Sequence, residues 1–99
     1  MAKITAKKKQ LKTPIRIGNT VFIRLVTFHY TGRIVSISSK ELILEQAAWI
    51  ADDGKFSEAI KNGTLNEVEP YPDGVEVIIG RGSIIDACEI PFALPRSQK

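Results

Sequence analysis

The sequence is poor in the residues that build catalytic and metal centres. It holds one cysteine, one histidine, one tryptophan and one methionine. The lone Cys88 rules out an internal disulfide and suits a reducing, cytoplasmic setting. With His29 also alone, a zinc site within one chain is excluded. No stretch approaches the roughly 18 apolar residues of a membrane span. The N-terminus is basic but lacks the apolar core of an export signal. No glycine loop of a known phosphate-cradling type is present, and no spacing pairs a nucleophile with a base, so an enzyme is not expected. Carboxylates are plentiful, but Asp52-Asp53-Gly54 reads as turn chemistry, and the Glu67/Glu69 pair lies in no loop of calcium-ligand spacing. No cofactor is expected.

What is present is a small domain with divided charge. The 99 residues fit one thin core, burying roughly 60–70% of the unfolded surface, so self-association would help it. Six of the fourteen cations lie in residues 1–16 with no acid among them. That leaves eight cations against all eleven acids, so the body carries −3 while the whole chain carries +3. Residues 1–17 read as a basic, disordered tail, residues 18–92 as the domain, and residues 93–99 as a second tail. Between residues 41 and 76 nine acids face only Lys55 and Lys61, a stretch that would repel a phosphate backbone.

Three segments, centred on residues 20–29, 31–38 and 41–49, alternate apolar and polar positions and suit a β meander. Gly32 interrupts the second, which predicts a bulge or sharp bend. "FSEAIKNG" reads as a short helix with Ser57 as N-cap and Gly63 as its stop, inside an acidic insertion over residues 50–74. "TLNEVEPYPDG" reads as loop, and "VEVIIG" and "SIIDACEI" as two further strands joined through Arg81-Gly82. Cys88 falls in an apolar alternation and reads as inert core, as does Phe28. Phe92 and Leu94 have the look of residues that pack on a neighbour.

Arg81, set between glycines, offers a fork of donors for a phosphate or carboxylate; its alternative is a turn arginine paired with an acid such as Asp86. His29 and Tyr30 beside the bend could stack on a base or fill a barrel end. Trp49 reads either as the anchor of the helical insertion or as a flat wall of a pocket or subunit contact. Lys7, Lys8, Lys9 and Lys12 could touch nucleic acid or remain a solvated charge run.

"VFIRLVTFHYTGRIVSISSKELILEQA" with its bend at Gly32, followed by "VIIGRGSIIDACEI", resembles the two motifs of Sm-like proteins. The resemblance implies a mostly β, strongly bent five-stranded antiparallel barrel, Sm-like or SH3-like, here with a helix between the third and fourth strands. It also implies closure of copies into a ring and an RNA contact through Arg81 and Gly82. The second RNA-contacting loop would fall on Ser38–Glu41, which lacks the expected Asp/Asn pair. The whole chain, including "AAWIADDGKFSEAIKNG" and "GSIIDACEI", is also similar to short proteins of unassigned role encoded by tailed phages and their prophages. Together these imply a non-catalytic homo-oligomer in the host cytoplasm that holds a small nucleotide-like ligand at Arg81, Gly82, Tyr30, His29 and Trp49. Such a protein would suit a sponge for a cyclic nucleotide or an ADP-ribose-derived immune signal. An RNA-binding ring and a virion structural or assembly protein are the alternatives.

Overall fold

The computed structural model describes residues 13–99. Among these residues six antiparallel strands form one sheet: β1 (Thr20–Leu25), β2 (His29–Ile37), β3 (Glu41–Asp52), β4 (Glu67–Pro70), β5 (Val77–Gly80) and β6 (Ile84–Glu89). One helix, α1 (Phe56–Asn62), follows β3, and a single 3₁₀ turn, Arg81–Ser83, joins β5 to β6. The pairing order is β4-β3-β2-β1-β6, and β5 pairs with the first half of β3.

The extra strand is β4. Residues 67–70 were expected to be loop because prolines punctuate them, yet Glu67, Val68, Glu69 and Pro70 pair with the last residues of β3. Proline is tolerated there because it ends a strand that, among the described strands, only β3 flanks. β3 accordingly runs to Asp52 rather than stopping at Trp49. The first strand is shorter than its pattern suggested: it ends at Leu25, and Phe28 sits in the hairpin turn, 46% exposed rather than in the core. The Phe28 backbone carbonyl accepts from the Leu25 N–H at 2.8 Å.

The short 3₁₀ link bends the whole sheet. Gly80, at the end of β5, lies opposite Glu41, while Ile84, at the start of β6, lies opposite Leu25. On a flat sheet those places would be on opposite edges and separated by the length of β2, roughly 25–30 Å. A three-residue 3₁₀ turn spans only about 6 Å. The strands must therefore curl around one face. No hydrogen-bonded pairing joins β5 to β6 among the described residues, so the curled sheet stays open.

Gly32 takes part of the bend. The β2–β3 register slips between Thr31 and Arg33, leaving Gly32 opposite both Gln46 and Ala47. Gln46 adopts the left-handed conformation (φ 49°), and Arg33 Nη1 donates to its Oε1 at 2.8 Å. A Cβ at residue 32 would sit 3.0 Å from Cβ and Cδ1 of Leu44, close enough that Leu44 would have to shift.

Two apolar clusters flank the sheet. Inside the curl, Val21, Ile23, Ile34, Leu42, Leu44, Ala47 and Ile79 are fully buried, each large aliphatic contributing about 1.5–3 kcal/mol by leaving water. On the outer face Phe22, Ala48, Ile50 and Val68 pack against Ala59 of α1, Leu65 and Ile90. Burial on both faces explains the unbroken run Val21-Phe22-Ile23, where a one-sided strand would alternate. Phe92 and Leu94 pack on this outer cluster of their own chain, rather than on a neighbour. The final residues also dock: the N–H and C=O of Val68 each pair with Lys99 at 3.0 Å. α1 begins after Lys55 with no side-chain cap, not at Ser57 as its hydroxyl suggested, and ends as expected at Gly63 in the left-handed conformation (φ 72°).

Replacing Gly32 with alanine is expected to destabilise the fold by about 1–3 kcal/mol, through the clash with Leu44. Urea denaturation reads this directly; an unchanged midpoint would mean the bend does not depend on that contact.

Candidate functional site

The residues singled out by sequence occupy three separate places. Arg81 and Gly82 lie on the 3₁₀ turn, against the β2–β3 hairpin. That hairpin is closed by Ser38, whose Oγ accepts from the N–H groups of Lys40 (3.3 Å) and Glu41 (3.0 Å). Arg81 is fastened to the same turn twice: its backbone N–H donates to the Lys40 carbonyl at 2.9 Å, and its Nη1 donates to the Ser38 carbonyl at 2.8 Å. A Cβ on Gly82 would meet nothing within 4 Å, so the backbone there is open to approach.

Asp86, the anticipated acid partner of Arg81, is engaged elsewhere. Arg24 Nε donates to Asp86 Oδ1 at 2.8 Å and Arg24 Nη2 to Oδ2, a two-pronged pair across β1 and β6. Arg16 pairs with Glu89 (3.6 Å), Arg33 with Glu45 (3.2 Å) and Arg96 with Asp73 (2.7 Å). Of the five described arginines only Arg81 has no carboxylate within ion-pair distance. A guanidinium has five N–H donors, and the Ser38 carbonyl takes one of them.

His29 and Tyr30, adjacent in β2, point to opposite faces. His29 lies on the outer face, its Nδ1 3.0 Å from Oδ2 of Asp53, and ties the acidic insertion to the sheet. Its ring meets Phe22 edge-on with centroids 5.7 Å apart, and Phe22 meets Phe56 of α1 at 6.1 Å. The Arg24 guanidinium rests over the Phe56 ring at 4.7 Å. Asp52 Oδ1 accepts from the Gly54 N–H at 2.8 Å, the turn chemistry expected of Asp-Asp-Gly. No group of three or more metal-ligating side chains occurs among the described residues. Burial, the larger effect, pushes the Cys88 thiol above its ordinary value.

Tyr30 lies on the inner face, directly across from Trp49 on β3, which in turn is opposite Glu69 on β4. Burial first, and the neighbouring Tyr71 phenol second, hold the Tyr30 hydroxyl above its ordinary range. Phe28 packs edge-on against Trp49, centroids 5.6 Å apart. Trp49 therefore does not anchor the helix, which packs on the other face through Ala48 and Ile50. It lines a cleft of about 220 Å³ with Glu69, Pro70, Tyr71 and Pro72. Glu69 to Pro72 continue into a second cleft of about 360 Å³, closed by Asp73, Arg96 and Gln98. Arg96 staples this region: its Nη2 donates to Asp73 and to the Tyr71 carbonyl (3.1 Å), and its Nη1 to the Ala47 carbonyl (3.4 Å).

Tyr71 and Arg96 lie in segments that the sequence pattern assigns to loop and tail, and Glu69 enters the sequence analysis only as half of the Glu67/Glu69 carboxylate pair. The alternation of buried Val68 and half-buried Pro70 with exposed Glu67 and Glu69 is the available signal. Lys7, Lys8, Lys9 and Lys12 lie outside the described residues. No described helix is long and apolar enough to cross a membrane.

The Arg24–Asp86 pair fixes a pH dependence. The hydrogen bond from Arg24, ahead of its charge, holds the Asp86 carboxyl below its ordinary value. A lowered folded-state pKa stabilises above the unfolded value, near pH 4, and that contribution is lost as pH falls through the folded value. Asp86→Asn should flatten the acid limb of a plot of urea midpoint against pH; identical limbs would mean the pair is energetically silent.

Comparison with known protein families, with curated proteins and with solved structures gives no match for the chain.

Proposed function

We propose that the protein is a non-catalytic, homo-oligomeric binding protein for a small nucleotide-like ligand. In this reading the phosphate is met by Arg81 and the Gly82 backbone, and the ring by the aromatic row of Tyr30 and Trp49. The observation that carries it is the state of Arg81. Its guanidinium is held in place by the Ser38 carbonyl, keeps four N–H donors, and has no carboxylate within reach, unlike every other described arginine. An arginine kept only as a turn fastener gains nothing from being spared a carboxylate partner in a body that is net acidic. The acidic stretch from Glu41 to Glu76 favours a small ligand, which needs one local cation, over a polymer that must cross the whole surface.

Arg81 and Trp49 lie in different parts of one copy, so a shared pocket requires neighbouring copies to bring them together. Two features support such an assembly. Among the described residues β5 pairs only with β3 and β6 only with β1, so no described strand covers the second edge of either. On these strands Ile78 is 61% and Ile85 60% exposed, apolar surface that strand pairing between copies would cover. Edge-to-edge closure of a curled sheet of this kind is the ring arrangement of Sm-like barrels. The resemblance to tailed-phage proteins makes sequestration of a nucleotide immune signal, cyclic or ADP-ribose-derived, the role that fits a pocket without catalytic groups.

A melting-temperature screen against cyclic nucleotides and ADP-ribose derivatives tests this reading. A true ligand at about 100 times its Kd adds about 2.7 kcal/mol, a rise of several degrees for a domain of this size. Arg81→Ala should abolish the rise and deletion of residues 1–13 should leave it intact. Binding that instead requires those residues and collapses with salt would establish the RNA-binding alternative. No shift with any nucleotide or RNA would overturn both and favour a structural role. Native mass measurement on the same sample gives the subunit count; a liganded monomer would remove the oligomeric half of the proposal.

A further inference from the structure

We infer that the Trp49 cleft selects a guanine ring, read by the carboxylate of Glu69. The inference rests on the proposed nucleotide-binding role and names the base that role would favour.

The cleft has flat apolar walls and one uncommitted charge. Trp49 and Tyr71 supply aromatic surface, and Pro70 and Pro72 supply rigid apolar surface at low entropic cost. Glu69 stands opposite Trp49 in the β3–β4 pairing, so its side chain rises from the same face as the indole. Its Oε2 accepts one hydrogen bond, from Gln98 Nε2 at 3.1 Å, and no cation lies within ion-pair distance among the described residues. Arg96, the cation of the adjoining cleft, is committed to Asp73 and to two carbonyls. The combined lining, Glu69 and Asp73 against Arg96, carries a net −1.

That balance excludes a phosphate from the cleft and specifies what can enter. A planar ring stacks on aromatic walls whatever its sequence identity. A carboxylate accepts only, so it favours a ring edge presenting two adjacent N–H donors. Guanine presents such an edge at N1–H and its exocyclic amino group. Adenine, cytosine and uracil each place an acceptor beside their donor, which would set a lone pair against the Glu69 oxygens. The phosphate of the same nucleotide must then leave the cleft toward a cation elsewhere, the part assigned above to Arg81.

Trp49 is the single tryptophan of the chain, so intrinsic fluorescence reports this cleft alone. Full-length protein is titrated with guanosine, inosine, adenosine and cytidine, which carry no phosphate and leave Arg81 unprobed. Guanosine should quench the emission and bind roughly 5- to 150-fold tighter than adenosine, the range of one good bidentate pair. Inosine, lacking the exocyclic amino group, should fall between them. Glu69→Gln, checked for an unchanged melting temperature, should remove the preference, and Arg81→Ala should leave it unaltered. Equal binding of guanosine and adenosine, equal binding of guanosine and inosine, or a preference that survives Glu69→Gln overturns the inference. An Arg81-dependent response to nucleotides without any guanosine preference would sink this inference alone. A guanosine preference with no role for Arg81 would sink the phosphate assignment alone.

Discussion

Three residues, Arg81 to Ser83, hold the architecture together by joining two places that a flat sheet would keep far apart. β5 ends beside the β2–β3 hairpin and β6 begins beside the β1–β2 hairpin, on opposite edges of the central strands. A link of about 6 Å leaves the sheet no option but to wrap. The wrap creates an inside, and the inside takes Ile34, Leu42, Leu44 and Ile79 out of water. Gly32 and the left-handed Gln46 are the local concessions that let β2 and β3 follow the curve. The outer face then needs its own cover, supplied by α1, Leu65, Ile90 and the segment carrying Phe92 and Leu94.

The same link presents the cation on which the functional reading turns. Arg81 cannot swing freely, because its backbone and its guanidinium both hold the Ser38–Lys40 turn. A positioned donor loses less entropy on meeting an anion than a mobile lysine would. Elsewhere the molecule neutralises its arginines systematically: across β1 and β6, across β2 and β3, and from the final segment to the Tyr71–Asp73 loop. His29 follows that structural pattern with Asp53 and so differs in kind from its chain neighbour Tyr30.

Local chemistry was readable from residue types alone. The bend at Gly32, the helix stop at Gly63 and the Asp-Asp-Gly turn depend on neighbours within a few positions and appear where the pattern puts them. The three meander segments form as strands with shifted ends, the first stopping at Leu25 and the third running on to Asp52. What was hidden depends on partners far along the chain. β4 became a strand because the second half of β3 offered it an edge, which outweighs the prolines around it. Asp86 was lost to Arg81 because the β1–β6 register sets Arg24 opposite it. Trp49 turned from a helix anchor into a cleft wall because strand alternation places Ala48 and Ile50, not the indole, toward α1. Sheet closure could not be judged from strand count, since the curl comes from a turn while no hydrogen bonds join β5 to β6.

The claim that the turn which curls the sheet also offers an anion site is tested most directly by arginine side-chain NMR. With pyrophosphate as the probe, the Arg81 Nε–Hε resonance and the Gly82 amide should shift saturably and together, while the Nε–Hε signals of Arg24 and Arg96, held by their carboxylates, stay in place. Shifts spread evenly over all the arginines, or none at Arg81 under saturating pyrophosphate, would contradict it.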